Sequence, residues 1–143
     1  MKRFGLIALI CTMSMVAWGA NKQPVALTAL PQALQDSINA HYTPDQILIV
    51  TSEKTAPRHY EYEFRVADGT KLKYSDKAVL MKIENEKGID LSYVPSGIQN
   101  YVKETFPNTF IVEYIRATMK QEVELNIDVT LVFDKNGRFI RLD

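Results

Sequence analysis

Apolar and polar side chains alternate along the segment 59–66, whose sequence is HYEYEFRV. A period of two places one set on each side of an extended chain, so this segment predicts a half-buried strand with its aromatic side inward. Asp68 and Gly69 then predict a hairpin turn, because glycine adopts the positive φ that a tight turn requires. The segment 71–74 predicts the returning strand.

Two other segments place an apolar residue at every fourth position. These residues are Leu30, Leu34, Ile38 and Tyr42 in the first segment and Val94, Ile98, Val102 and Phe106 in the second. This spacing puts one apolar stripe along a helix. Pro31 and Pro95 suit the first turn, where a missing N–H costs nothing, and Pro44 and Pro107 end the two helices.

The same order of elements occurs twice along the chain. Strands are predicted at 47–51, 59–66, 71–74 and 79–83 after the first helix, with a loop at 52–58, and four strands follow the second helix from 110 onward. A charged connector at 84–90 separates the two patterns. We therefore predict a tandem duplication with repeats at about 29–84 and 93–143, packed side by side around one core.

The segment 122–133 alternates without a glycine, so two structures fit its sequence. Its apolar residues Val123, Leu125, Ile127, Val129, Leu131 and Phe133 all have the same parity. One long strand would account for this pattern. A turn at 126–128 would also account for it, and the analogy with the first half favours the turn.

Residues 1–19 have the pattern of a signal peptide. Lys2 and Arg3 precede a mostly apolar, uncharged run at 4–18, which is too short for a transmembrane helix. Cleavage after Gly19 fits the rule for small residues, whereas cleavage after Ala20 would put Trp18 where a small side chain is needed. We expect residues 20–143 to form a single domain that is periplasmic or secreted.

Cys11 is the only cysteine and lies in this apolar run. Lipidation at Cys11 would anchor the chain, but Ile10 is a poor fit to the small residue that precedes a lipidated cysteine. Cleavage leaves no thiol, which excludes disulfides, thiolate metal sites and a cysteine nucleophile. The chain has 17 basic and 17 acidic residues, and loss of Lys2 and Arg3 leaves the acids in slight excess. This balance gives no electrostatic case for binding nucleic acid or an anionic membrane.

The order of these motifs resembles that of the PepSY-like proteins, small exported bacterial proteins whose fold is compared with that of the β-lactamase inhibitor protein. The resemblance rests on a leucine or valine before proline at each helix, on the strands YEYEF and EVEL, and on the closing hairpin FDKNG. It covers about 29–143. It departs at Ala78, where the second half has Gly137, and at Val129, where the first half has Gly69.

The resemblance implies an α+β fold in which both helices pack on one face of a continuous antiparallel sheet. The other face stays open. It further implies a non-catalytic module that binds or inhibits another protein, and this role comes from comparison of folds. No cofactor is expected.

Few residues offer catalytic or metal-binding chemistry. His41 and His59 are the only histidines and lack further ligands at a regular spacing. The segment 134–137 resembles the start of a calcium loop, but the glutamate required at the twelfth position is missing, so a hairpin turn explains it better. We predict no metal site.

Paired glutamates give an alternative to the binding module. Glu61 and Glu63 share one strand face, as do Glu122 and Glu124, so adjacent halves would bring four carboxylates onto one surface. A small periplasmic hydrolase could use such carboxylates as acid and base. The sequence supplies no apolar niche that would raise the pKa of one carboxyl, so a solvated strand face is the simpler interpretation.

Two strands are apolar at positions of both parities, namely 47–50 and 110–115. A sheet covered on one face would leave some of these side chains exposed, and exposed apolar clusters usually mark a partner surface. The candidate partner-binding residues are Phe110, Val112, Tyr114, Ile47 and Ile49. They predict binding of another envelope or secreted protein, including inhibition or modulation of an envelope enzyme. The alternative is that loops, or a second copy of the chain in a homodimer, cover them.

Overall fold

The structure of the protein is a computed structural model that describes residues 21–143. The predicted signal peptide, its cleavage site and Cys11 lie outside these residues. Neither helix of the described part is long and apolar enough to span a membrane.

One antiparallel sheet of nine strands runs through the described residues, and each strand pairs with the next in the chain. The strands are β1 (Lys22–Pro24), β2 (Ile47–Ala56), β3 (His59–Val66), β4 (Lys71–Ser75), β5 (Leu80–Glu84), β6 (Ile111–Arg116), β7 (Lys120–Leu125), β8 (Val129–Asp134) and β9 (Phe139–Leu142). The helices are α1 (Gln32–Asn39) and α2 (Ser96–Thr105). The sheet is therefore a meander, and the α+β class is confirmed.

Each helix precedes four strands, with α1 before β2 to β5 and α2 before β6 to β9. The sequence did not predict β1. It also assigned 52–58 to a loop, which was wrong for most of that segment, because β2 continues to Ala56 and pairs there with β1 and β3. β5 pairs directly with β6, so the sheet continues from one half into the other.

A row of directly paired side chains crosses the sheet on the helix side. Its members are Val50, Phe64, Leu72, Ile83, Tyr114, Val123 and Leu131, all of them buried. They belong to one cluster with Leu34 and Ile38 of α1 and with Ile98 and Val102 of α2. One core therefore serves both halves, and both helices lie on the same face of the sheet.

Bulges interrupt the alternation of β2 and β6 at corresponding places. Leu48 is an extra residue in β2, because its two neighbours pair with adjacent residues of β3. Val112 is the extra residue in β6. A bulge shifts the alternation by one position, so Ile47 and Val50 both face the core although they are three residues apart. The bulges explain why these strands are apolar at both parities.

The segment 122–133 forms two strands, β7 and β8, as the prediction of a turn required. Its turn, 126–128, has three residues, and Asp128 takes the left-handed conformation with φ 58°. Gly69 takes this conformation, with φ 92°, in the corresponding turn between β3 and β4. The counterpart of Gly69 is thus Asp128, and matching it to Val129 was wrong by one residue.

Candidate binding face

The sheet face away from the helices carries rows of charged side chains. One row, from β3 to β7, is Glu63, Lys73, Lys82, Ile115 and Glu122. The neighbouring row is Arg65, Lys71, Glu84, Glu113 and Glu124. We call this surface the open face.

Ion pairs link these side chains both between strands and within β5. The Nζ atom of Lys82 lies 2.8 Å from Oε2 of Glu113 and 3.0 Å from Oε2 of Glu84, and Lys71 Nζ lies 2.9 Å from Oε1 of Glu84. Partial burial acts to raise the pKa of Glu84, but hydrogen bonds from the two lysines outweigh it and lower the pKa to about 2. Glu84 is therefore charged at neutral pH.

A second group of ion pairs lies toward β1. Lys22 Nζ is 2.8 Å from Oε2 of Glu63, and Arg65 Nε is 3.4 Å from its Oε1. Burial acts to raise the pKa of Glu63, but the hydrogen bonds and positive charges of Lys22 and Arg65 lower it overall. Lys73 Nζ lies 3.6 Å from Oε2 of Glu61. The charges of the open face are thus held in fixed places.

The four glutamates of the hydrolase alternative all lie on or beside this face but fall into two groups. Glu61 and Glu63 are on β3, whereas Glu122 and Glu124 are on β7. Four strand spacings of about 4.8 Å separate the groups by roughly 19 Å, while glycosidase carboxylates lie about 5 to 10 Å apart. A general acid also needs a raised pKa, and that of Glu63 is lowered. The two groups do not form an acid–base pair.

Two of the predicted partner-binding residues face the core. Tyr114 is 3% exposed, and its hydroxyl donates a hydrogen bond to Oε1 of Gln121. Burial raises the pKa of Tyr114. Ile47 packs against the same core cluster. Placing Tyr114 and Ile47 on the open face was therefore wrong, because the bulges at Leu48 and Val112 shift the alternation of their strands.

The other three predicted residues are partly or well exposed but do not form one surface. Ile49 pairs with Arg65 across β2 and β3, while Val112 lies on β6, about four strand spacings or roughly 19 Å away. Phe110 precedes β6 and is 45% exposed. A Cβ atom added to Gly88 would lie 3.4 Å from Cδ2 of Phe110, so the phenyl ring lies close to this glycine. The prediction that Ile49, Val112 and Phe110 contact a partner stays a prediction. The alternative of a homodimer also stays a prediction.

An apolar depression that the sequence did not indicate lies at one end of the open face, beside the turns that join β4 to β5 and β6 to β7. It has a volume of about 650 Å³ and is lined by Val79, Met81, Ile115, Ala117 and Thr118, with Glu61, Lys73, Ser75, Lys82 and Arg116 around them. Met81 is the extra residue of a bulge in β5, because its neighbours Leu80 and Lys82 pair with the adjacent residues Tyr74 and Lys73 of β4. Ile115 reaches this face because of the bulge at Val112. The depression depends on two bulges, and no residue type in the sequence marks their positions.

A second depression, of about 750 Å³, lies at another end of the open face. It contains Glu84, Glu113 and Glu124, which are direct neighbours on β5, β6 and β7. Like charges in direct opposition destabilise a sheet, and Lys71 and Lys82 offset this effect for Glu84 and Glu113. Within residues 21–143, no group of three or more histidine, cysteine, aspartate or glutamate side chains is arranged to hold a metal ion.

The two histidines have structural surroundings. The ring of His41 stacks at a tilt on Tyr93, with centroids 4.4 Å apart, and its Nδ1 atom is 4.0 Å from Oδ2 of Asp90. His59 lies at the start of β3 with Nδ1 3.3 Å from Oδ2 of Asp76. Each histidine thus has one carboxylate neighbour.

The fold is similar to that of several solved structures, among them three from Bacteroides species. A "putative calcium-regulated periplasmic protein" of Bacteroides thetaiotaomicron has a TM-score of 0.77 and 23% identity, with 85% of this chain and 96% of that chain covered. A "putative periplasmic protein" of Bacteroides vulgatus has a TM-score of 0.77 and 23% identity, with 88% and 99% covered. Another from that species, of unknown function, has a TM-score of 0.77 and 22% identity, with 85% and 98% covered.

Comparison of sequences gives one match. The chain matches no curated protein. It matches the family described as "Putative beta-lactamase-inhibitor-like, PepSY-like" over residues 15–82 and again over residues 62–141. These two matches extend over most of the chain, which therefore belongs to the PepSY-like family.

Proposed function

We propose that the chain is an exported, non-catalytic module that binds another envelope or secreted protein through the open face of its sheet. The family supports a non-catalytic role. The helices cover the opposite face, which leaves the open face available to a partner. The partner-binding residues are then Val79, Met81 and Ile115, in place of Tyr114 and Ile47.

The apolar depression at Met81 and Ile115 is the observation that carries this proposal. Residues that contribute most to binding usually lie near the centre of an interface, in apolar spots surrounded by polar contacts. The depression combines apolar and charged side chains in this way, because Met81 on β5 and Ile115 on β6 line it together with Lys73, Lys82 and Glu61. β5 and β6 are the fifth and sixth of nine strands, so the depression lies in the middle of the strand order, at the ends of these strands.

The charged rows suit recognition of one partner among many. Fixed charges steer association and select partners of complementary charge, while they add less to affinity than buried apolar contacts do. Lys82 between Glu84 and Glu113 illustrates such a fixed charge. The rows therefore contribute specificity around the depression.

The first experiment identifies the partner and tests the depression. The tagged mature chain is used to capture proteins from envelope extract, and the affinity of the purified partner is measured for wild type and for Met81→Ala. Loss of this apolar side chain from the depression should weaken binding at least tenfold, which corresponds to about 1.4 kcal/mol.

Ile140 provides a matched control. It is the extra residue of the bulge in β9, as Met81 is in β5, but it lies on the edge strand and is 51% exposed. Ile140→Ala should change affinity less than twofold, and Glu61→Gln with Glu122→Gln should also have a small effect. Equal losses for Met81→Ala and Ile140→Ala would refute the assignment of the depression.

We infer that binding takes the form of inhibition or modulation of an envelope enzyme. The description of the family as β-lactamase-inhibitor-like supports this form. The structures of similar fold are described as periplasmic, which supports export of this chain. An activity assay of the captured enzyme with and without the module, together with mass spectrometry of the N-terminus of the exported chain, tests both points.

We also infer that the fold arose by tandem duplication. The bulge at Leu48 corresponds to that at Val112, and the bulge at Met81 corresponds to that at Ile140. Bulges are retained within families, so their repetition supports a common origin of the two halves. The two family matches along the chain support the same conclusion.

A further inference from the structure

A compact apolar pocket lies between α2 and the connector that leads into it, and it shares Lys87 with the second depression of the open face. We call it the Phe110 pocket. It is lined by Lys87, Gly88, Ile89, Leu91, Gln99, Val102, Lys103, Thr109, Phe110 and Ile111, and its volume is about 330 Å³. Small-molecule pockets commonly have volumes of about 300 to 1,000 Å³. The Phe110 pocket falls at the lower end of this range.

The interior of the Phe110 pocket is apolar and firmly held. Ile89, Val102 and Ile111 are buried members of the core cluster and form its floor. Leu91 and Phe110 form walls that remain 39% and 45% exposed. These two side chains leave apolar surface open to solvent, and a ligand of matching shape would cover it.

The amide group of Gln99 shapes one wall of the pocket. Its Nε2 atom donates hydrogen bonds to the carbonyl oxygens of Leu91 and Val94, each at 2.8 Å. These bonds fix the short turn Leu91–Tyr93 against the start of α2. The pocket is thus largely preformed, which lowers the entropic cost of binding.

Two lysines give the pocket a positive rim. Lys87 and Lys103 both line it, and no aspartate or glutamate does. Neither lysine forms an ion pair with a carboxylate in the described part of the chain. An anionic group at the rim would therefore meet two cations without competing with a carboxylate already in place.

The first half of the chain lacks the aromatic wall and the rim lysine that Phe110 and Lys103 give to this pocket. In the repeat, Phe110 and Lys103 correspond to Gln46 and Asn39, which precede β2 and end α1 respectively. Packing of the helix against the sheet does not require these two side chains, because the first half has the same elements with glutamine and asparagine at the two positions. The aromatic wall and this rim lysine are therefore particular to the second half of the chain.

We propose that the Phe110 pocket binds a single-chain anionic amphiphile such as a medium-chain fatty acid. The alkyl chain lies on Ile89, Val102 and Ile111, and the anionic head group lies between Lys87 and Lys103. The narrow pocket accommodates one chain, whereas a protein partner requires a broader surface such as the open face. This site is independent of the proposed function.

The experiment titrates the mature chain with decanoate below its micelle concentration and follows backbone amide signals by NMR. Decylammonium controls for charge, acetate controls for the head group alone, and decyl phosphate tests whether any anionic head is accepted. Decanoate should shift the amide signals around Ile111 and Lys103 and bind at least tenfold more tightly than decylammonium. Acetate should not bind.

Variants separate the two contributions. Lys87→Gln with Lys103→Gln should reduce the preference for decanoate over decylammonium at least fivefold, while Lys54→Gln with Lys77→Gln, at exposed lysines outside the pocket, should leave it unchanged. Phe110→Ala should weaken both alkyl probes at least threefold, with thermal unfolding showing that the fold persists. Absence of binding at millimolar decanoate, equal affinity for decylammonium, or shifts confined to the open face would each overturn the proposal.

Discussion

Individual side chains repeat their roles in the two halves. Gln35 of α1 donates from Nε2 to the carbonyl oxygen of Leu30 at 2.8 Å, and Gln99 of α2 donates to that of Val94 at the same distance. Each glutamine thereby gives a partner to a carbonyl group just before its helix, where no intrahelical donor is available. Two helices with the same spacing also begin in the same way.

Phe64 illustrates how the pairing of residues determines stability. It is fully buried on β3, and its ring meets that of Tyr74 edge to face with centroids 5.7 Å apart. Phe64→Ala should therefore reduce the free energy of unfolding by about 3 to 5 kcal/mol, through lost burial and a cavity. Leu125→Ala, at another fully buried position, should cost about 2 to 5 kcal/mol.

Glu63→Gln is the control for these core variants, because Glu63 is the neighbour of Phe64 that points to the other face. It should cost less than about 1 kcal/mol, since partly exposed ion pairs contribute little. Chemical denaturation of the three variants provides the measurement. A larger loss for Glu63→Gln than for Phe64→Ala would mean that the two faces of β3 are assigned the wrong way round.

The elements that could be predicted from the sequence are those with an undisturbed period. β3 alternates without interruption, and α1 and α2 keep their four-residue spacing, so their existence and inward sides followed from the residues. The bulges at Leu48 and Val112 could not be predicted, because neither residue type distinguishes a bulged position from a regular one. For this reason Tyr114 was assigned to the wrong face and the depression at Met81 and Ile115 was missed.

The rows of ion pairs on the open face connect neighbouring strands and make their stability depend on pH. Glu84 accepts hydrogen bonds from lysines on β4 and β5, and its pKa is lowered from 4.5 to about 2. A lowered pKa in the folded state means that the unfolded state binds the proton more tightly. The stabilisation is therefore complete above the ordinary glutamate pKa and is lost as the pH falls toward 2.

We expect the free energy of unfolding of wild type to decrease between pH 4.5 and pH 2, the window that the pKa of Glu84 sets. Glu84→Gln should make this decrease shallower, because the variant has no carboxyl to protonate at that position. Glu104→Gln, on the exposed side of α2, is the matched control and should retain the slope of wild type. Denaturation curves across this pH range give the slopes, and identical slopes for Glu84→Gln and wild type would contradict the role of Glu84.

At the scale of the whole molecule, the seam between β5 and β6 holds the two halves together. Ile83 and Tyr114 are direct partners across this seam, and both are buried in the common core. On the open face, Lys82 on β5 reaches Glu113 on β6. The seam therefore contributes to the core on one face and to the ion pairs on the other.

Separate expression of residues 20–86 and 89–143 tests whether either half can fold without this seam. Each half alone would expose the edge of β5 or β6 together with the apolar side of its sheet, and one short helix could cover only part of that side. We expect circular dichroism and amide NMR to show unfolded chains for both halves, whereas residues 20–143 should unfold in a single cooperative transition. Cooperative unfolding of either half by itself would show that the halves are separate domains. Ile83→Ala gives a second test in residues 20–143. If the core is shared, this variant should lower the midpoint of the entire transition, whereas separate domains would confine the loss of stability to the first half.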